Sequence, residues 1–260
     1  MVRFGVCTSI ANAQVLRDTG WDFIEENVQG LFQGTEPEEK YVGQARAVGS
    51  ALPVEAANCL VPGNLKITGP SADRGALERY MTNVLRRAGA TQCRTLVFGS
   101  GGARQVPDGW DKSTATDQIV VFGQMIAPIA QKYGVTITLE HLCVKECNIV
   151  TTLEEELEIV RRVNHPHFQC LLDTYHLWED NLALSEVEPL LPYLRHVHLA
   201  DRDGRVAPGE SGASDYREVF AMLKKGGYNH RLSVEAMGFG DLAGSGPRVL
   251  AFLKRQWDEA

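Results

Sequence analysis

The sequence predicts an α/β fold in which eight parallel strands alternate with helices and close into a (β/α)8 barrel. Two observations support this prediction. Short apolar runs of strand length recur along the chain, and each is followed by a longer segment with helical spacing of its apolar residues. The chain has 260 residues, a length that barrels of this kind fill as one domain. We therefore expect a single domain over residues 1–260.

Eight apolar runs have the length expected of buried parallel strands. They cover residues 4–8, 23–26, 54–57, 95–98, 136–139, 168–172, 196–199 and 232–234. Eight strand–helix units close naturally into a barrel rather than an open sheet. An open doubly wound sheet is the alternative, but no Gly-x-Gly-x-x-Gly motif follows the first run to form a dinucleotide crevice.

The segments between the runs carry helix signals. Thr152 precedes three glutamates as in a capping box, and Arg161 and Arg162 lie near the end of the same segment, as the helix dipole favours. This pattern predicts a helix over 153–163, and amphipathic spacing predicts others over 73–89, 114–133, 216–225 and 246–256. The glycine-rich segment 99–109 is predicted to be an irregular, substrate-facing loop, because it lacks the Gly-Lys-Ser/Thr of a nucleotide-binding loop.

The composition restricts the classes of partner. A formal net charge of −7 opposes binding to the phosphate backbone of nucleic acids. Residues 1–14 lack the continuous apolar stretch of a signal peptide, and no run approaches the ~18 apolar residues of a membrane span. We therefore expect a cytoplasmic protein that binds neither nucleic acid nor membrane; a monomer and a homo-oligomer both stay open.

The six cysteines are expected to be free thiols. Four lie within apolar runs, where a thiol packs as a small core residue: Cys7, Cys59, Cys93 and Cys170. Cys143 and Cys147 lie close together after the fifth run, but their spacing is not the Cys-x-x-Cys of most zinc or redox sites.

Polar side chains interrupt the later runs at equivalent positions. Glu140, Asp173 and Glu235 each follow an apolar run directly, and His198 lies near the end of the seventh run. Because the carboxyl ends of barrel strands form the face that carries the chemistry, these four side chains should converge at one mouth of the barrel. Singly, such a carboxylate could cap a helix and such a histidine could be a core residue. Together they indicate a cation, because clustered buried carboxylates repel one another.

Three carboxylates and one imidazole suit a hard or borderline divalent ion. We predict one divalent metal, with manganese as the first choice and magnesium, cobalt or zinc as alternatives. His196 and His198 are two residues apart and share a strand face. Because His198 lies nearer the carboxyl end, it is assigned to the metal, and His196 to packing or to the support of a ligand beneath it.

Several segments form a recognisable set of motifs. They are Thr138-Leu139-Glu140 with Glu146, Leu-Asp-Thr-Tyr-His at 172–176, His-Val-His-Leu-Ala-Asp at 196–201, the loop 205–212, and Ser-Val-Glu at 233–235. Together they resemble the sugar phosphate isomerase/epimerase family of xylose isomerase-like TIM barrels, which also contains ketose 3-epimerases, inosose dehydratases and endonuclease IV relatives. The resemblance spans nearly the whole chain.

The resemblance implies roles for the matching residues. In the ketose 3-epimerases, the positions that match the four predicted ligands bind the metal, and the two that match Glu140 and Glu235 also act as acid and base. It further implies that the substrate is contacted by Glu146, His176 and an arginine at Arg205, with Arg202 as the competing position, and that Asn58 and Glu26 lie near the substrate.

The implied activity is that of a metal-dependent isomerase or epimerase that forms an enediolate from a ketose or keto-sugar. A dehydratase or lyase on a keto-inositol or keto-glycoside would use the same groups and stays open. An endonuclease IV-like nuclease would need more histidines and a basic groove, and a non-catalytic sugar-binding barrel would not need two opposed glutamates.

No dense Lys/Arg cluster indicates a phosphate clamp, so we expect an unphosphorylated sugar. Trp110 is expected in the pocket and Trp178 in the core.

Overall fold

Eight parallel strands form a closed ring in the computed structural model of the protein, which describes residues 2–260. Each strand pairs with the next along the chain, and β8 pairs with β1. The strands are β1 (Arg3–Cys7), β2 (Phe23–Asn27), β3 (Val54–Asn58), β4 (Thr95–Phe98), β5 (Thr136–Glu140), β6 (Phe168–Asp173), β7 (Leu194–Leu199) and β8 (Arg231–Val234). The predicted (β/α)8 barrel is confirmed, and every predicted run overlaps the corresponding strand.

Helices and short 3₁₀ turns connect the strands. The helices are α1 (Ala13–Asp18), α2 (Val28–Phe32), α3 (Gly43–Val48), α4 (Arg74–Gly89), α5 (Gly101–Arg104), α6 (Lys112–Lys132), α7 (Leu153–Val163), α8 (Thr174–Glu179), α9 (Arg217–Lys225) and α10 (Leu242–Glu259). Thr152 caps α7, since its hydroxyl accepts the Glu155 N–H at 3.1 Å. Between residues 2 and 260, no helix combines the length and apolar composition needed to cross a membrane.

The segment 99–109 departs from the predicted irregular loop. Its residues Gly101–Arg104 form the short helix α5, although glycine is a weak helix former. The buried Arg104 side chain accounts for this turn. Its guanidinium donates to the carbonyl oxygens of Phe98 at 3.1 Å and Glu140 at 2.7 Å, so it ties the ends of β4 and β5 together.

Strand residues alternate between the barrel interior and the surrounding core. In β5, Ile137 and Leu139 belong to the apolar core, whereas Thr138 and Glu140 occupy the opposite face. This alternation explains why polar residues at every second position can line the interior without disrupting the core.

All six cysteines are free thiols, as expected. Cys93 and Cys170 are buried and Cys7 is partly buried, but the predicted core position is wrong for Cys59, which is exposed. Cys59 follows β3 and has a φ of 56°, so the chain turns out of the strand at this residue and directs it toward solvent.

Arg87 on α4 holds the segment between α2 and α3 in place through hydrogen bonds. Its side chain is 1% exposed and donates to the carbonyl oxygens of Phe32, Gln33 and Glu36 and to the Glu38 carboxylate. One buried guanidinium therefore satisfies three main-chain acceptors in a segment with little secondary structure of its own.

We expect Arg87→Met to lower the free energy of unfolding by about 3 kcal/mol, because three carbonyl groups lose their donor. The neighbouring Arg86 is a matched control: it is 40% exposed and pairs with Glu38, so Arg86→Met should cost under about 1 kcal/mol. Urea unfolding of both variants measures the difference, and equal losses would contradict the role assigned to Arg87.

Candidate metal centre and substrate cavity

Four side chains from four neighbouring strands converge at the carboxyl end of the barrel. Glu140 ends β5, Asp173 ends β6, His198 lies on β7, and Glu235 follows β8. One ligand-type atom from each lies within 4.8 Å of the others. His198 Nδ1 is 3.1 Å from Glu140 Oε1, 3.5 Å from Glu235 Oε2 and 3.8 Å from Asp173 Oδ2. The structure thus brings together the four residues that the sequence predicts as metal ligands.

The electrostatics of this group favour a cation. Glu140 and Asp173 are buried, and burial raises the pKa of Glu140 above its usual value, with the Glu235 and Asp173 carboxylates adding to the effect. Burial alone would lower the pKa of His198, but neighbouring carboxylates, first among them Glu25, hold it well above its usual value. Despite burial, the neighbouring histidines and Arg205 hold the pKa of Asp173 and that of Glu235 below their usual values, so these two carboxylates stay ionised and can bind a cation. The donor set therefore fits a divalent ion such as manganese, magnesium or cobalt.

A fifth buried carboxylate lies behind His198. Glu25 on β2 places Oε1 2.8 Å from His198 Nε2 and Oε2 2.6 Å from His196 Nε2. His196 is therefore a buried partner of Glu25 and stands outside the four-residue group. Sequence reasoning selected Glu26, whose carboxylate instead accepts the Ile10 N–H at 2.5 Å. Both glutamates of β2 are buried, so the pattern of apolar residues alone does not distinguish Glu25 from Glu26.

A cavity of about 300 Å³ opens beside the four-residue group. Its lining includes most of the predicted site residues: Asn58, Glu140, Glu146, His176, Arg205 and Glu235. Glu26 and Trp110 do not line it, and Trp110 packs against the core, as does Trp178. A larger cavity of about 480 Å³, lined by residues between 47 and 92, contains no charged residue, histidine or cysteine, so we take the smaller one as the candidate site.

Arg205 occupies the cavity and Arg202 does not. Arg205 Nη1 donates to Glu146 Oε1 and Nη2 to Glu235 Oε2, both at 2.7 Å, and the guanidinium lies 4.6 Å from the centre of the Tyr175 ring. Arg202 donates to Asn181 at the surface instead. Arg205 therefore links a predicted substrate residue to a predicted metal ligand.

His176 presents an unpaired donor to the site. Its Nδ1 accepts the Cys143 N–H at 3.2 Å, so the proton of the neutral ring lies on Nε2. The buried Nε2 atom has no hydrogen-bond partner in the part of the chain that the structure describes, and it lies 3.9 Å from Asp173 Oδ2. It is free to donate to an oxygen atom of a bound molecule.

Gly99, at the end of β4, makes room for the Glu140 carboxylate. A Cβ atom at Gly99 would collide with Glu140 Oε2. Gly102, three residues later in the same segment, has more space, since its Cβ would meet Gly63 Cα at 3.4 Å. The position of the Glu140 carboxylate therefore depends on the missing side chain of Gly99, a requirement that the glycine-rich sequence did not reveal.

Comparison with known proteins gives a consistent family assignment. The profile of the family described as xylose isomerase-like TIM barrel matches residues 13–255. D-psicose 3-epimerase of Ruminiclostridium cellulolyticum is 28% identical over 152 residues, which cover 57% of this chain and 51% of that protein. Ketose 3-epimerase of Arthrobacter globiformis is 26% identical over 133 residues, covering 51% of this chain and 45% of that protein. The chain thus matches about half the length of these relatives.

Solved structures share the fold over almost the whole chain. A 3-keto-D-glucoside 4-epimerase from E. coli in its apo form superposes with a TM-score of 0.82 at 19% identity and covers 98% of this chain and 100% of that one. An AP endonuclease, family 2, from Brucella melitensis gives a TM-score of 0.78 at 20% identity and covers 98% and 99% of the two chains. At these identities the likeness concerns the fold alone.

We expect Gly99→Ala to raise the dissociation constant for Mn²⁺ at least about tenfold, because the new methyl group displaces the Glu140 carboxylate from the ligand set. Gly102→Ala is the matched control and should change the constant less than about twofold, since its methyl group meets ordinary contacts. Isothermal titration calorimetry of both variants measures the effect. Equal affinities would show that Glu140 does not need the space at Gly99.

Proposed function

Because this chain belongs to the family of xylose isomerase-like TIM barrels, we propose that it is a divalent-metal-dependent sugar isomerase or epimerase that acts on a ketose or keto-sugar through an enediolate. The observation that carries the proposal is the position of two glutamates, Glu140 and Glu235, beside the same cavity. These glutamates come from different strands, flank His198 Nδ1, and line the same small cavity. Two of the curated relatives are named as 3-epimerases, of D-psicose and of ketoses, and these names support the same reaction class.

The chemistry requires help for a weak carbon acid. A hydrogen on the carbon beside a carbonyl is too weakly acidic for an unaided carboxylate to remove quickly. A divalent cation, manganese as first choice, bound by Glu140, Asp173, His198 and Glu235 would supply positive charge that stabilises the enediolate by several kcal/mol.

The two glutamates divide the proton transfer between them. One carboxylate removes the proton from one face of the substrate, and the other returns a proton to the opposite face, which inverts the centre. Asn58 Nδ2 donates to Glu235 Oε1 at 3.0 Å, and Arg205 Nη2 donates to Glu235 Oε2. These two hydrogen bonds fix the orientation of the Glu235 carboxylate. A carboxylate that is held in this way reacts in one orientation rather than many.

Further polar groups hold the oxygens of the sugar. His176 donates through Nε2 to an oxygen near the carbonyl, and Glu146 with Arg205 binds hydroxyl groups of the sugar. These contacts orient the carbon that loses the proton relative to Glu140 and Glu235.

The charge balance favours an unphosphorylated substrate. Three carboxylates and one guanidinium line the cavity, and Asp173 lies next to it in the four-residue group, so the site stays negative even with a divalent cation in place. A phosphate group would add two further negative charges next to them. A volume of about 300 Å³ is at the lower end for ligand pockets and suits a single neutral sugar.

Dehydratase or lyase chemistry on a keto-inositol or keto-glycoside starts from the same proton removal and differs only in the loss of a leaving group. The product therefore distinguishes these reactions, and the first step is common to them. The endonuclease reading is disfavoured by the same negative cavity, which repels a phosphodiester.

We expect Glu140→Gln and Glu235→Gln each to abolish exchange of deuterium from solvent into the substrate, because an amide cannot transfer the proton. Proton NMR in D₂O with a panel of ketoses and keto-inositols measures the exchange. Glu218→Gln, on the exposed face of α9, is the control and should exchange as the wild type does. Full exchange in both active-site variants would rule out the acid–base roles.

Metal removal gives a separate prediction. Protein stripped with EDTA should lose exchange with every substrate of the panel, and added Mn²⁺ should restore it, because the enediolate then regains its stabilising charge. The same NMR assay follows both steps. Exchange that persists without metal would exclude the metal-dependent reaction, and metal binding without any exchange would favour a sugar-binding protein.

A further inference from the structure

Glu25 has no role in the proposed proton transfer. It lies on β2, behind the predicted metal ligand His198, and its side chain is fully buried. We propose that Glu25 is a positioning residue: it fixes the orientation of the His198 ring so that Nδ1 faces the three carboxylates of the metal centre. This inference rests on the metal site of the proposed function.

The hydrogen bonds of the two rings define the orientation. His198 Nε2 lies 2.8 Å from Glu25 Oε1, and Nδ1, on the other side of the ring, lies 3.1 Å from Glu140 Oε1. An ionised carboxylate only accepts hydrogen bonds, so Nε2 must carry a proton. Without a metal, Nδ1 faces the Glu140 carboxylate and donates to it; a divalent ion would take the place of that proton, while the bond to Glu25 keeps the proton on Nε2.

His196 strengthens the arrangement by sharing the same carboxylate. Its Nε2 lies 2.6 Å from Glu25 Oε2, and the Ser233 hydroxyl is 3.4 Å from that nitrogen. The two rings meet edge to face, with centroids 5.1 Å apart. Each carboxylate oxygen of Glu25 therefore accepts a hydrogen bond from one imidazole ring, and both oxygens are occupied.

Glutamine at position 25 cannot reproduce this pattern. Its amide offers one oxygen acceptor and one NH₂ donor, whereas the two imidazoles both need an acceptor. Either His198 moves its proton to Nδ1 and opposes the metal, or His196 moves its proton to Nδ1, which has no hydrogen-bond partner among residues 2–260. The first rearrangement removes the lone pair that the metal needs, and the second leaves a buried N–H group without an acceptor, so E25Q loses the paired support of the two rings.

The test compares Glu25→Gln with Glu26→Gln. Glu26 is the adjacent residue on the same strand, and its carboxylate accepts the Ile10 N–H, a bond that a glutamine oxygen can keep. Calorimetric titration with Mn²⁺ should show about 10- to 100-fold weaker binding for E25Q and less than about a twofold change for E26Q. Thermal unfolding without metal checks that each variant is folded. If E25Q does not fold, Glu25→Asp keeps the charge but is too short to reach both rings, and it should weaken binding in the same direction.

A spectroscopic readout separates positioning from general support of the fold. In ¹⁵N-labelled protein loaded with Mg²⁺, the wild-type His198 ring should carry its proton on Nε2, and E25Q should show a second population protonated on Nδ1 or a reduced fraction with bound metal. If the wild type binds Mn²⁺, and E25Q binds it with the same affinity and the same proton position on His198, the role proposed for Glu25 is wrong but the metal site stands. A wild-type protein that binds no Mn²⁺ would overturn the metal site and this inference with it.

Discussion

The convergence of like charges at one end of the barrel is the constraint on which the rest of the site depends. A closed ring of parallel strands delivers the carboxyl ends of all its strands to one rim, and three of them carry carboxylates within 4.8 Å of His198 and of one another. Such a group is stable only if its geometry and its charge are both controlled. The neighbouring residues meet these two needs.

Control of geometry comes from groups that each act on one predicted ligand. Gly99 leaves space for the Glu140 carboxylate, and Arg104 holds the Glu140 carbonyl. Asn58 and Arg205 bind the two oxygens of Glu235. Gly99 and Arg104 lie outside the motifs that carry the family resemblance. Their role is to place another side chain rather than to contact a substrate.

The eight strands and the four converging residues could be predicted from the sequence because both depend on local patterns. An apolar run that ends in an acid is visible in one short segment, and the barrel topology then brings such ends together. Other features depend on contacts across the barrel. Along β2 the order Phe-Ile-Glu-Glu leaves open which glutamate points inward, and a register shift between Ile24 and Glu25 obscures the alternation further. The choice between Arg202 and Arg205 likewise depends on the path of the loop after β7, where Arg205 adopts a φ of 48°.

Buried charges elsewhere in the protein show why the site is different. Arg87 donates to three main-chain carbonyls, and Glu156 accepts the N–H groups of His141 and Leu171. Asp201 accepts bonds from Gly209, Ser211 and Tyr216. In these places the fold neutralises the cost of burial with its own donors and acceptors. At the carboxyl end of the barrel the carboxylates also have donors, among them Asn58 and Arg205, but they lie so close together that negative charge is left over, which a bound cation can compensate. If the proposed cation binds there, it stabilises the folded state, and folding and metal binding are coupled through the same four residues.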